Sequence, residues 1–185
     1  MIGTRFEIGL FVLLIATLFA LTISLAEYLL FAFGAYKMAK NLGLPSPWMA
    51  FVPVASSYLL GLIAEKDSFG RKTLKYSWIL LITQFISFFF SIAYYFALLA
   101  FRFSGNWGIL VIFFLICGTV SIISAVFYYI ALYRVYKLFD SDNAPLFIIL
   151  SIFFSIAVPI LLFVLRNRQP IISYGDPFEQ MNYGE

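Results

Sequence analysis

Glu27 is the only carboxylate inside an apolar segment of this 185-residue chain. Holding a charge near the middle of a bilayer costs at least ~2.5 kcal/mol, so an acid in such a place is a candidate functional group by default. Glu27 precedes Tyr36 by nine residues, Gln84 follows Tyr76 by eight, and Ser124 precedes Tyr133 by nine. At about 1.5 Å per residue, all three fall some 12–14 Å from the same ends of three different apolar segments. The sequence therefore predicts one polar layer of Glu27, Gln84, Ser87 and Ser124. Ser56, Ser57 and Ser155 would reach it from two shorter segments. Two readings stand side by side. A pocket open to the cytoplasm and centred on Glu27 would bind a cation, a proton or a small solute. A hydrogen-bonded layer that only glues helices together would be worth ~0.6–2 kcal/mol per pair.

Enzyme chemistry finds little to work with. The chain has no His, which removes Ser-His and Cys-His pairs and the commonest transition-metal ligand. A second buried acid is lacking, since Glu65, Asp67, Asp140 and Asp142 fall between apolar segments. There is no phosphate-binding glycine motif. The single Cys117 excludes a disulfide within the chain. No cofactor and no metal site are expected.

The elements that must position these groups are membrane helices. The chain is 63% hydrophobic and 11% charged, against about 25% charged in a soluble domain. Several apolar runs reach the length of a span. Segment one runs from Ile8 to about Met38 and reads as an uncleaved span, with Ala16, Ala20 and Ser24 spaced every four residues as in close helix packing. Segment two, Trp48 to Ala64, is short and broken by Pro53, with a non-helical turn expected at Ser56-Ser57. Segment three, Tyr76 to Phe101, carries a polar stripe of Gln84, Ser87, Ser91 and Tyr94 at helical spacing. Segment four, Trp107 to Tyr133, has a second small-residue face at Cys117, Ser121 and Ala125. Segment five, Leu146 to Leu165, is interrupted by Pro159. Residues 1–165 read as one helical membrane domain and 166–185 as a polar tail, largely disordered.

Charge counting bears on the two broken segments. If both return to the side they left, ten Lys and Arg residues share one side and only Arg5 and Arg102 lie on the other. If all five segments span, the split is seven to five; if only segment two returns, eight to four. The positive-inside rule prefers the first arrangement, with the N-terminus outside. The fold expected is thus all-α and polytopic: three full transmembrane helices plus two proline-broken re-entrant or short segments, with four or five full spans as the alternative. A short internal repeat fits this. Tyr36-Lys37-Met38-Ala39-Lys40 parallels Tyr133-Arg134-Val135-Tyr136-Lys137, each followed by a proline-bearing loop and a broken apolar segment.

The run from Ala35 to Lys66, with its Tyr-Lys-x-Ala-Lys and Trp-x-Ala-x-x-Pro patterns, resembles an uncharacterised group of small polytopic membrane proteins of Gram-positive bacteria. The stretch from Tyr133 to Asn167 also resembles that group's last segment, and together they cover about a third of the chain. The resemblance implies the bacterial cytoplasmic membrane and implies no activity. That group often has an Asn shortly after the Pro, where this chain has Ser56 and Ser57.

Lys37, Lys40, Lys66, Arg71, Lys72 and Lys75 are candidates for binding anionic lipid head groups, although topology signalling alone explains them. Nucleic acid is not an expected partner, because the basic residues sit beside apolar segments. The partners expected are the lipid bilayer and another membrane protein or a second copy of the chain. The function expected is that of a non-enzymatic accessory or assembly subunit of a membrane complex, with a small channel or transporter centred on Glu27 as the alternative.

Overall fold

The computed structural model describes residues 2–66, 75–104 and 107–171. Six α-helices are present among these residues: α1 (Ile2–Asn41), α2 (Pro53–Glu65), α3 (Tyr76–Ser104), α4 (Trp107–Phe139), α5 (Ala144–Phe153) and α6 (Ala157–Leu165). A 3₁₀ turn, Pro47–Phe51, precedes α2, and there is no strand among the described residues. α1, α3 and α4 are long and apolar enough to cross a membrane. The protein is a helical polytopic membrane protein, with three long helices and shorter broken segments. The expected tail falls outside the described residues, apart from 166–171.

Local chemistry explains where the helices stop. α1 ends where Gly43 takes φ +62°, a conformation glycine adopts without a Cβ penalty. The Leu44 amide then donates to the Ala39 carbonyl at 3.0 Å and the Gly43 amide to the Lys40 carbonyl at 3.1 Å. This pair satisfies the last carbonyls of the helix, and Leu44 and Ala39 are both buried beneath it. α2 opens on Pro53, whose missing N–H would have no helical partner there anyway. α3 opens against α2: Glu65 Oε1 accepts the Ser77 amide at 2.8 Å and its hydroxyl at 2.7 Å. A carboxylate at that point meets an orphan N–H and the positive end of the helix.

Both short segments form hairpins that return to the end of the bundle they left. Past Leu44 the chain runs back along α1, with Phe51 packed on Phe33 and Tyr36 at 5.2 and 5.7 Å between ring centroids. It turns at Val52, and α2 descends along α3 until Glu65 meets Ser77. Past Phe139, α5 climbs along α4, with Tyr136 against Phe147 and Ser151. The chain is extended at Phe154, and α6 descends along α1. The Asn41 side chain donates to the Arg166 carbonyl at 3.0 Å, and the Ile171 amide to the Leu138 carbonyl at 2.7 Å. Each hairpin thus packs its first arm on the long helix before it and its second arm on another long helix.

Two breaks differ from expectation. The first turn lies at Val52, not at Ser56-Ser57; both serines are helical, and the Ser56 amide donates to the Val52 carbonyl at 2.8 Å. Pro53 is the reason, because it starts a helix rather than interrupting one. Similarly, Pro159 does not mark the second break but forces it upstream. Its ring tolerates only the first turn of a helix, so α6 begins at Ala157 and the chain opens at Phe154.

The main cluster of buried residues lies toward the end that carries Lys40, Lys66, Lys75, Arg134 and Arg166, called here the basic end, while Ala97 of α3 is buried apart from it. Ala35, Met38 and Ala39 of α1, Leu59, Leu60 and Ile63 of α2, Leu132, Val135 and Tyr136 of α4, and Leu162 of α6 are all fully buried. Two glycines permit the closest approaches. A Cβ on Gly34 would lie 2.8 Å from the Leu162 carbonyl carbon, and one on Gly61 2.5 Å from the Ser77 nitrogen.

Candidate functional site

Two cavities lined by both polar and apolar side chains lie just beyond the core, and Tyr128 and Tyr129 form a wall common to both. The first, of about 340 Å³, is lined by Ser24, Glu27, Tyr28, Phe31, Tyr128, Tyr129, Ser155, Val158 and Pro159. α1 supplies the acid, and the open turn between α5 and α6 supplies Ser155. The second, of about 240 Å³, is lined by Ser57, Leu80, Thr83, Gln84, Ser124, Ala125, Tyr128 and Tyr129. Here the first turn of α2 meets α3 and α4.

The groups expected in one layer are therefore shared between two compartments. Glu27 and Ser155 line one; Gln84, Ser124 and Ser57 line the other. Two tyrosine side chains stand between Glu27 and Gln84. Ser87 and Ser124 do meet, with their hydroxyl oxygens 3.1 Å apart. Ser56 is buried and spends its hydroxyl on the Pro53 carbonyl at 2.7 Å, so it faces neither cavity. The rest of the α3 stripe, Ser91 and Tyr94, lines a further space of about 140 Å³ with Cys117 and Ser121 of α4. Cys117 Sγ donates to the Phe90 carbonyl there at 3.5 Å.

The tyrosines are the part of the site that reading the sequence missed. Tyr129 donates to the Ser151 carbonyl at 3.3 Å, while the Tyr136 and Ser151 hydroxyls lie 2.9 Å apart. Ser151 in turn donates to the Phe147 carbonyl at 2.8 Å, and is itself fully buried. This chain of bonds fastens α5 to α4. The Tyr28 hydroxyl oxygen is buried and has no hydrogen-bond partner among the described residues. A signal was available: a phenol directly after the one intramembrane acid, and four more in the last turns of α4, are amphipathic groups that need a polar partner when buried.

Glu27 makes no hydrogen bond or ion pair among the described residues. Fully buried residues, Ala35, Met38 and Leu162 among them, lie between this cavity and the basic end. On the other side no hairpin intervenes between α1 and α4, and α1 is exposed on every face from Gly9 to Ala26.

Lys37, Lys40, Lys66 and Lys75 are exposed at the basic end, while Arg71 and Lys72 lie outside the described residues. Arg134 stacks 4.6 Å over the Tyr76 ring and Arg166 3.3 Å over Phe163. These two cations are thus partly committed to aromatic faces.

Comparison with protein-family models, with curated proteins and with solved structures finds no match to this chain.

Proposed function

We propose that the protein is a non-enzymatic accessory or assembly subunit of a membrane complex. It would sit in the bacterial cytoplasmic membrane with its basic end inside and its N-terminus outside. The two hairpins are then re-entrant, which places ten of the twelve Lys and Arg residues on the inner side. One observation carries the reading. α1 is packed tightly at Ala32, Ala35, Met38 and Ala39 yet is exposed on every face between Gly9 and Ala26. Half of a long helix is left uncovered by the described residues, and small polar groups lie at its foot.

A small channel or transporter centred on Glu27 is the second reading. The cavity of about 340 Å³ around that carboxyl group speaks for it. Against it stands the core between cavity and basic end, which closes the expected route to the cytoplasm.

Mild solubilisation, purification and quantitative mass spectrometry distinguish the two. A partner in fixed stoichiometry supports the accessory subunit. A pure homo-oligomer that passes ions in liposomes overturns it in favour of the channel.

A further inference from the structure

We infer that the gap between the far half of α1 and α4, above the Phe154–Ile156 turn, receives a transmembrane helix of a second protein, and that this helix carries a basic side chain at the depth of Glu27. The inference rests on the accessory-subunit reading and names the kind of partner and the place it docks.

Exposed apolar surface alone would be satisfied by lipid. The polar groups at the foot of the gap are what lipid tails cannot satisfy. Ser24, Glu27, Tyr28 and Ser155 line the cavity into which the gap descends. The Tyr28 hydroxyl is buried without a partner and Glu27 has none among the described residues. Ionisable groups at membrane depth nearly always pair with one another or with backbone. Within this chain no described cation can serve. Lys37, Lys40, Lys66, Lys75, Arg134, Lys137, Arg166 and Arg168 belong to the basic end, and Arg102 to the last turn of α3 at the opposite end. Lys37, the nearest along α1, is ten residues from Glu27, or about 15 Å along the axis. Lipid head groups lie at the bilayer surfaces, not at this depth.

A second copy of the chain fits less well. Packed in parallel along α1, it would set Glu27 against Glu27 and bring no cation to this level. A foreign helix with one Lys or Arg supplies what is missing: charge-assisted hydrogen bonds to the carboxyl group. Its backbone would approach along Ala16, Ala20 and Ser24, which continue through Tyr28 on one face of α1 and lack bulk.

The test uses the full chain in phosphatidylcholine vesicles and two synthetic helices of about 20 leucine and alanine residues. One helix carries a single Lys at the depth of Glu27 and the other a Leu in its place. Energy transfer between labelled protein and labelled helix reads association. The Lys helix should bind about fivefold or more tightly than the Leu helix, in line with a polar contact inside a membrane. Glu27→Leu should erase that preference while leaving helicity unchanged, since Glu27 holds no other element in place. Ala20→Phe should weaken binding of both helices by bulk alone, with the carboxyl group intact. Equal binding of the two helices, or a preference that survives Glu27→Leu, overturns the inference. So does self-association through α1 that excludes both helices. The accessory-subunit reading survives each of these outcomes if a stoichiometric partner still copurifies, and falls separately if none does.

Discussion

Arg168 closes onto Asp140, 28 residues back along the chain, in an ion pair that joins the exit of the second hairpin to its entrance. Asp140 is only 6% exposed and also accepts the side chain of Asn143 at 3.1 Å and its amide at 3.4 Å. Arg168 is half exposed. The two partners are therefore unequal. Arg168→Ala should cost under ~1 kcal/mol, as expected for a pair with one end in water. Asp140→Ala should cost ~1.5–3 kcal/mol, because it removes a buried carboxylate that accepts from both Asn143 and Arg168 at the start of α5. Denaturant titration of both variants in micelles measures the difference, and equal losses would contradict this account.

The hairpin geometry predicts a labelling pattern. In a Cys117→Ser background, single cysteines at Lys66, Ser141 and Gln169 should react with an impermeant maleimide from one and the same side. One at Asn106 should react only from the other. Labelling of Gln169 from the side of Asn106 would mean that the segment holding α5 and α6 crosses the membrane.

The two close approaches predict which glycines resist substitution. Gly34→Ala and Gly61→Ala place a methyl group against backbone of α6 and α3 respectively. Backbone cannot swing aside as a side chain can, so each should cost ~1–3 kcal/mol. Gly118→Ala meets nothing within 4 Å and should be harmless. Thermal unfolding of the three variants in one detergent ranks them.

The division of the polar layer predicts energetic independence. Glu27→Leu and Gln84→Leu, on opposite sides of Tyr128 and Tyr129, should combine additively to within ~0.5 kcal/mol. Ser87→Ala and Ser124→Ala, which remove two hydroxyls 3.1 Å apart, should not. Their coupling should be ~0.6 kcal/mol, the usual size for such bonds in a membrane. Two double-mutant cycles settle it; strong coupling of Glu27 to Gln84 would place them in one compartment after all.

Much of this architecture was legible because membrane helices are governed by length and charge. Apolar runs of the necessary length marked α1, α3 and α4, and Lys and Arg placement favoured the return of both broken segments. Spacing from the basic ends also predicted that Glu27, Gln84 and Ser124 share a depth. Depth along a helix axis is one coordinate, however, and azimuth is another. Nothing in the spacing told on which side of Tyr128 and Tyr129 each group falls, because that depends on how α1 and α3 are placed around α4. Prolines misled in a similar way. Pro53 and Pro159 were read as points of interruption, whereas each occupies a first helical turn and moves the break toward the N-terminus. The solitude of α1 between Gly9 and Ala26 left no trace in composition, since a residue facing lipid and one facing another helix are equally apolar.

Among the described residues the hairpins stop short of the far ends of α1, α3 and α4, so a bilayer crossed by those three helices would meet different cross-sections in its two leaflets. Beside the basic end the long helices are accompanied by the 3₁₀ turn, α2, α5 and α6; beyond the turns, among the described residues, only α1, α3 and α4 continue. The molecule is a wedge. With its hairpins re-entrant it would take more lateral area from the leaflet at its basic end than from the other, and relief of that imbalance would favour a membrane bent toward the narrow side. Partition between small and large vesicles of one lipid composition would register the preference, and a helix seated beside α1 would blunt it by widening the narrow end.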